Sequence, residues 1–289
     1  MSPVATRAAE FGGGACPTPK STSSYTGNYT TCADANINLI GTLAYSARIA
    51  GVRTRRIALS FALFNMLVLV SRTSNSFLGP FLAKRIETRI AEGGGDSLFA
   101  DFQLVLGSAS LAVFVGILLV PTGQRLFSRA IGYFQEHRST TRLLLKTATP
   151  TGLKAVRDAL HPPSLGQLRS LVKERGVSWN VLLANCLAQA LLTVGVIASL
   201  YAGYLNPDFR VTASQLSAVI NGFATILLFA LIDPQLSVMT DDAVEGRVSE
   251  ALFRRTIVWI SFSRLAGTLL AQLLFLPSAM LIAGIANYV

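Results

Sequence analysis

The sequence predicts an all-α integral membrane protein of about six transmembrane helices, arranged as two inverted three-helix halves around a basic cytoplasmic connector. Three observations predict it. Hydrophobic residues make up 51% of the 289 and charged residues 14%, where a soluble domain carries about 25% charged. The apolar runs are too long and too many for core helices, since about 20 residues at roughly 1.5 Å each span a bilayer. The net charge of +10 is concentrated in one connecting segment. That is the signature of a loop held on the cytoplasmic side against anionic lipid rather than of a nucleic-acid binder.

Residues 1–34 are rich in Gly, Ser, Thr and Pro, with Gly12-Gly13-Gly14 and a Ser/Thr run from Thr18 to Thr31. They hold too little apolar surface to offset their chain entropy, so a disordered tail is expected, without the apolar core of a signal peptide. Cys16 and Cys32 would either bridge, if the tail lies outside the cytoplasm, or stay as free thiols. With Cys186 they show no metal-ligand spacing, and both histidines, His137 and His161, fall in the connector. Neither a metal nor a cofactor is expected.

The first membrane half covers residues 35–120. Its first helix, Ala35 to Val52, is short and polar, with Asn38, Thr42, Tyr45, Ser46 and Arg48, most of them on one helical face. Gly51 to Arg56 forms a tight basic turn containing Arg53, Arg55 and Arg56. The second helix, Ile57 to Ala83, is interrupted by Ser71-Arg72-Thr73-Ser74-Asn75-Ser76. Asn65, Arg72 and Gly79 recur at seven-residue spacing with Asn75 and Ser76 beside them, a polar stripe across the bilayer, and Gly79-Pro80 is expected to break it. A nearly neutral loop is expected over residues 84–101. The third helix, Phe102 to Val120, is the most apolar and is expected to face lipid.

The connector, 121–178, carries ten Lys/Arg against Glu136, Asp158 and Glu174. Its amphipathic stretches Leu126–Phe134 and Leu165–Val172 suit interfacial helices. The second membrane half, 179–289, opens with a helix from about Ser178 to Leu205, bearing Asn185, Gln189 and Thr193 on one face. A fifth helix runs from Ala213 to Ile232 and is expected to end at Asp233-Pro234. The last apolar stretch, Thr256 to Val289, is either one kinked helix broken at Pro277 or a helix plus a re-entrant turn. Ser261, Arg264, Thr268 and Gln272 form its polar stripe. Placing both the turn at 53–56 and the connector in the cytoplasm puts both termini outside.

Arg72 carries the functional argument. An unpaired charge near mid-bilayer costs between about 2.5 and well over 10 kcal/mol, so it must face water, a partner or an anion. Arg48, Arg72 and Arg264 are the charged members of the stripes, with no Glu inside any expected crossing and Asp233 placed at a helix end. Excess positive charge in a cavity asks for an anion, and the planar guanidinium fork matches phosphate. The expected binding set is therefore Arg72, Arg264 and Arg48 with Asn65, Asn75, Ser76, Asn185, Gln189, Thr268 and Gln272, and Arg53, Arg55 and Arg56 at a cytoplasmic entrance. The plainer alternative is that the Asn, Ser and Thr stripes only fasten helices together and that Arg48 snorkels.

Thr42-Leu43-Ala44-Tyr45-Ser46-Ala47-Arg48-Ile49-Ala50-Gly51-Val52-Arg53-Thr54, Ile57-Ala58 and Leu69-Val70-Ser71-Arg72-Thr73-Ser74-Asn75 resemble the opening of the Amj-type lipid II flippases, the alternate to the MurJ type. Gly267-Thr268-Leu269-Leu270-Ala271-Gln272 is similar too, and the resemblance covers residue 36 or so to the end. It implies a lipid transporter, not an enzyme, that moves the undecaprenyl-diphosphate-linked peptidoglycan precursor from the inner to the outer leaflet of a bacterial inner membrane. It supplies no binding motif, so the site residues rest on the charge argument. Two other classes stay open: a membrane enzyme acting on isoprenoid diphosphate lipids, which lacks a His, Glu or Asp in the expected crossings, and a structural or assembly protein. An ion- or drug-coupled exporter using Asp233, Asp241 and Asp242 would need them at a different depth.

Overall fold

A computed structural model describes residues 22–91, 97–137, 158 and 176–288. Among the described residues seven α-helices carry the fold: α1 (Thr22–Thr54), α2 (Ile57–Ala91), α3 (Leu98–His137), α4 (Trp179–Leu205), α5 (Arg210–Leu227), α6 (Asp233–Val244) and α7 (Glu250–Ile285). A π-helical turn, Leu228–Ile232, fuses α5 to α6. Five stretches among the described residues are long and apolar enough to cross a membrane: α2, α3, α4, the run from Pro207 to Val244, and α7. This is a multi-pass, all-α membrane protein.

Among the described residues, α1 is the one long helix whose composition falls short of a membrane span, and its position explains why it can. It packs along both α2 and α3, burying Ala44, Ala47, Ile49 and Ala50 completely. A helix enclosed by its neighbours is not required to be apolar towards lipid. It begins at Thr22 rather than near Ala35, so Asp34, assigned to the tail from sequence, lies within the helix. Of the two tail cysteines, Cys32 is a free thiol exposed on α1, and Cys16 lies outside the described residues.

The helices form a horseshoe. α2 packs on α1, α1 on α3, α3 on α7, α7 on α4 and α4 on α5. The same order recurs in each half, the first helix holding the second and third, and the halves join chiefly through α3 and α7. Small residues permit the closest approaches. A Cβ at Gly116 of α3 would lie 2.8 Å from Thr42 Cβ of α1, and one at Gly267 of α7 would lie 2.5 Å from the Cys186 carbonyl of α4. α3 faces lipid with Leu104, Leu111 and Phe114 but buries Phe102, Val105, Leu106 and Val113, so it is a joint between halves as well as a lipid-facing helix.

Proline does not end helices where the sequence suggests. α2 continues through Pro80 to Ala91, and the expected loop 84–101 is largely helical. There Arg85 is buried, donating to Thr30 Oγ1 at 3.1 Å and pairing with Asp101 at 3.0 Å. α3 passes Pro121 and reaches His137, so Leu126–Phe134 is the end of a membrane helix rather than a separate interfacial one. Leu165–Val172 lies outside the described residues. α7 runs unbroken through Pro277, which favours the single long helix over a re-entrant turn. At Pro234 the ring would collide with the carbonyl four residues back, and the chain widens into the π turn just before it instead of stopping.

Candidate functional site

A cavity of about 100 Å³ lies inside the horseshoe, lined by α1, α2, α4, the π turn and α7. Residues of α1 spaced by helical turns (Asp34, Asn38, Gly41 and Tyr45) form one wall. Arg72 and Asn75 of α2, Gln189 and Thr193 of α4, Phe229 and Asp233 of the fused helix, and Arg264 of α7 face them. Phe229 is 52% exposed, so the cavity reaches the lipid-facing surface at the π turn.

Arg72 sits sixteenth in the 35-residue α2. Its Nη1 donates to Thr225 Oγ1 of α5 at 2.9 Å, and its guanidinium lies 5.9 Å from the Phe229 ring centre. No carboxylate pairs with it among the described residues. α2 and α5 are the open ends of the horseshoe; the Arg72 side chain crosses the seam between them, as does Arg210 of α5, whose Nη2 lies 3.9 Å from Glu87 Oε1 of α2.

Arg264 reaches across from α7 to α1. Its Nη2 donates to Asn38 Oδ1 at 3.3 Å, and its guanidinium occupies the space a side chain at Gly41 would take, where a Cβ would lie 2.7 Å from Nη2. Asn38 Nδ2 in turn donates to Asp34 Oδ1 at 3.3 Å and to the Asp34 carbonyl at 3.0 Å. Asp34 is 5% exposed, and its Oδ2 has no partner among the described residues.

Arg48 is placed otherwise. It is 2% exposed, bonds Asp233 Oδ1 through Nη2 at 2.9 Å, and lies 4.8 and 4.4 Å from the ring centres of Phe61 and Phe64. It does not snorkel, and it stands behind the cavity wall to which Asp233 contributes. Asp233 is not at a helix end: the π turn carries the helix past it and aims it inward.

Of the other expected site residues, Asn75 and Gln189 join Arg72 and Arg264 on the cavity wall. Asn65 and Ser76 are exposed on α2 outside it, Ser76 Oγ donating to its own helix at the Arg72 carbonyl (3.2 Å). Asn185 is buried as a fastener of α4 to α7, donating to the Ile260 carbonyl at 3.1 Å and to Ser263 Oγ at 2.6 Å. Gln272 donates to Ser110 Oγ at 2.8 Å, tying α7 to α3, and Thr268 Oγ1 bonds the Leu265 carbonyl at 2.9 Å. Arg53, Arg55 and Arg56 are exposed at the turn between α1 and α2. The residue that sequence reasoning missed is Asp34. Its signal was the turn-by-turn alignment with Asn38, which shows only if the helix is started earlier.

A family model described as Amj, Alternate to MurJ, matches residues 34–286. A protein of Bacillus subtilis (strain 168) named lipid II flippase Amj is 35% identical over 256 residues, covering 87% of this chain and 93% of that protein. No solved structure matches the chain.

Proposed function

The chain belongs to the Amj family, and from that premise we propose that it is a lipid II flippase, a transporter and not an enzyme. It moves the undecaprenyl-diphosphate-linked precursor from the inner to the outer leaflet of a bacterial inner membrane. The connector and the turn at 53–56 face the cytoplasm and its anionic lipids, and both termini lie outside. In this reading Arg72 and Arg264 hold the diphosphate, with Asn75 and Gln189 solvating the head group. Arg53, Arg55 and Arg56 attract it at the cytoplasmic mouth.

The observation that carries the reading is Arg72 itself: a guanidinium at mid-helix, on a cavity wall, whose one hydrogen-bond partner among the described residues is a neutral hydroxyl. Five donors with one acceptor leave a fork open to a phosphate. The seam between α2 and α5 supports the route, because the isoprenoid tail can stay in hydrocarbon while the head passes inside. A space of about 100 Å³ holds several waters but not a sugar-peptide head group. Passage therefore requires the seam to part, with the halves hinging about their α3–α7 joint.

Replacing Arg72 by Ala in a cell dependent on this protein should stop growth while the protein accumulates normally, and purified R72A in proteoliposomes should lose lipid II translocation. Normal growth would remove Arg72 from transport. Full function in R72K would mean that charge suffices and the fork does not matter.

A further inference from the structure

The cavity's charges are ordered along α1. Towards the connector end stands Asp233, bound to Arg48; in the middle come Tyr45, Arg72 and Arg264; towards the opposite end come Asn38 and then Asp34. The guanidinium belt is thus bracketed by two carboxylates. The two are held differently. Asp233 is engaged by a buried arginine, whereas Asp34 reaches Arg264 only through the Asn38 amide, and its second oxygen is buried on the cavity wall without a partner among the described residues.

A transporter site must bind strongly enough to load and weakly enough to empty. Two desolvated arginines closing on a diphosphate, through charge-assisted bonds stronger than neutral ones, would load well and release slowly unless something competes for them. Resting on the assignment of Arg72 and Arg264 to the diphosphate, we propose that Asp34, acting through Asn38, is the competing charge. It repels the bound diphosphate and takes Arg264 back as the lipid leaves on the side away from the connector. Asp34 is then a positioning residue for release and does not itself bind substrate.

The test uses the full chain in nanodiscs and proteoliposomes, with inorganic pyrophosphate as the binding probe and lipid II translocation as the transport assay. D34N should bind pyrophosphate about tenfold more tightly than the native protein, the effect of removing one like charge at close range in a partly buried site. Its multiple-turnover translocation should fall, and D34E should restore both. A residue that merely supports the helix would lose transport without gaining affinity, so unchanged or weaker pyrophosphate binding in D34N overturns the proposal. D34S, measured beside it, gives the same two readings should D34N fail to fold. Native protein that binds no pyrophosphate still supports the proposal if D34N binds it, and overturns it if neither does. Failure of the underlying assignment looks different: native protein or D34N would bind pyrophosphate, and adding R72A or R264A would leave that binding unchanged.

Discussion

Arg48 and Arg72 belong to adjacent helices of the same half and meet different surroundings. Arg48, on α1, has a carboxylate at 2.9 Å and two aromatic rings within 5 Å, and is 2% exposed. Arg72, on α2, has a hydroxyl at 2.9 Å, one ring at 5.9 Å, and a cavity in front of it. The same side chain is neutralised in one place and left with bonding capacity in the other. A buried charge that is paired needs no ligand to explain it, whereas one held on a cavity wall by a neutral partner does. Arg48 with Asp233 therefore fastens α1 to the fused helix at its π turn, and Arg72 keeps unused donors on the cavity wall, as the proposed anion site requires.

The largest effect expected from this contrast is on stability. Arg48→Ala takes away the cation bonded to Asp233 and should cost about 3–5 kcal/mol, seen as a large drop in the thermal unfolding midpoint of purified protein and in its cellular level. Replacing both partners, R48L with D233L, should recover most of the loss, because an apolar pair can fill the same volume without a stranded charge. Arg72→Ala should shift the unfolding midpoint far less while abolishing transport. Equal destabilisation by the two alanine variants would erase the distinction.

A second effect tests the seat of Arg264. Gly41→Ala places a methyl where the guanidinium lies. Because the obstacle is the far end of a flexible side chain, folding should cost no more than about 1 kcal/mol. The guanidinium must nevertheless leave Asn38, which should lower lipid II translocation several-fold at near-normal stability. A silent G41A in the transport assay would mean that the position of Arg264 is not critical.

What the sequence disclosed and what it hid divide along physical lines. The spans of α2 to α5 follow from apolar length, and the position of Arg72 in the middle of one of them needed no structure. The stripes were also visible, but a polar face reads the same whether it meets a cavity or another helix. Asn185 and Gln189 lie one turn apart on α4, yet the first turns to the Ile260 carbonyl of α7 while the second lines the cavity. Only the packing separates them. Proline misled most, because a helix inside a bundle can continue past Pro80 and Pro121, and Pro234 is absorbed by a π turn, whereas the single helix through Pro277 is one of the two courses the sequence allows. That continuity is what carries Asp233 into the cavity wall beside Arg48. The early start of α1 hid Asp34 in the same way, since polar composition signals a tail only where no neighbouring helices enclose the segment.

The smallest effect is the most discriminating. Thr225→Val removes the acceptor of Arg72 with almost no change of shape. If Arg72 exists to fasten α2 to α5, then cutting the bond from either side is equivalent, and T225V should match R72A in transport. If Arg72 awaits a diphosphate, Thr225 only occupies it while the site is empty. Losing an interhelical hydrogen bond in a membrane costs about 0.6 kcal/mol, which corresponds to a change in translocation of about threefold or less. The direction is informative as well, because freeing the guanidinium and loosening the seam favour loading, so pyrophosphate affinity should hold or rise in T225V and collapse in R72A. A T225V protein as inactive as R72A would make the arginine a fastener, as Arg48 is, and would leave the cavity without its anion-binding group.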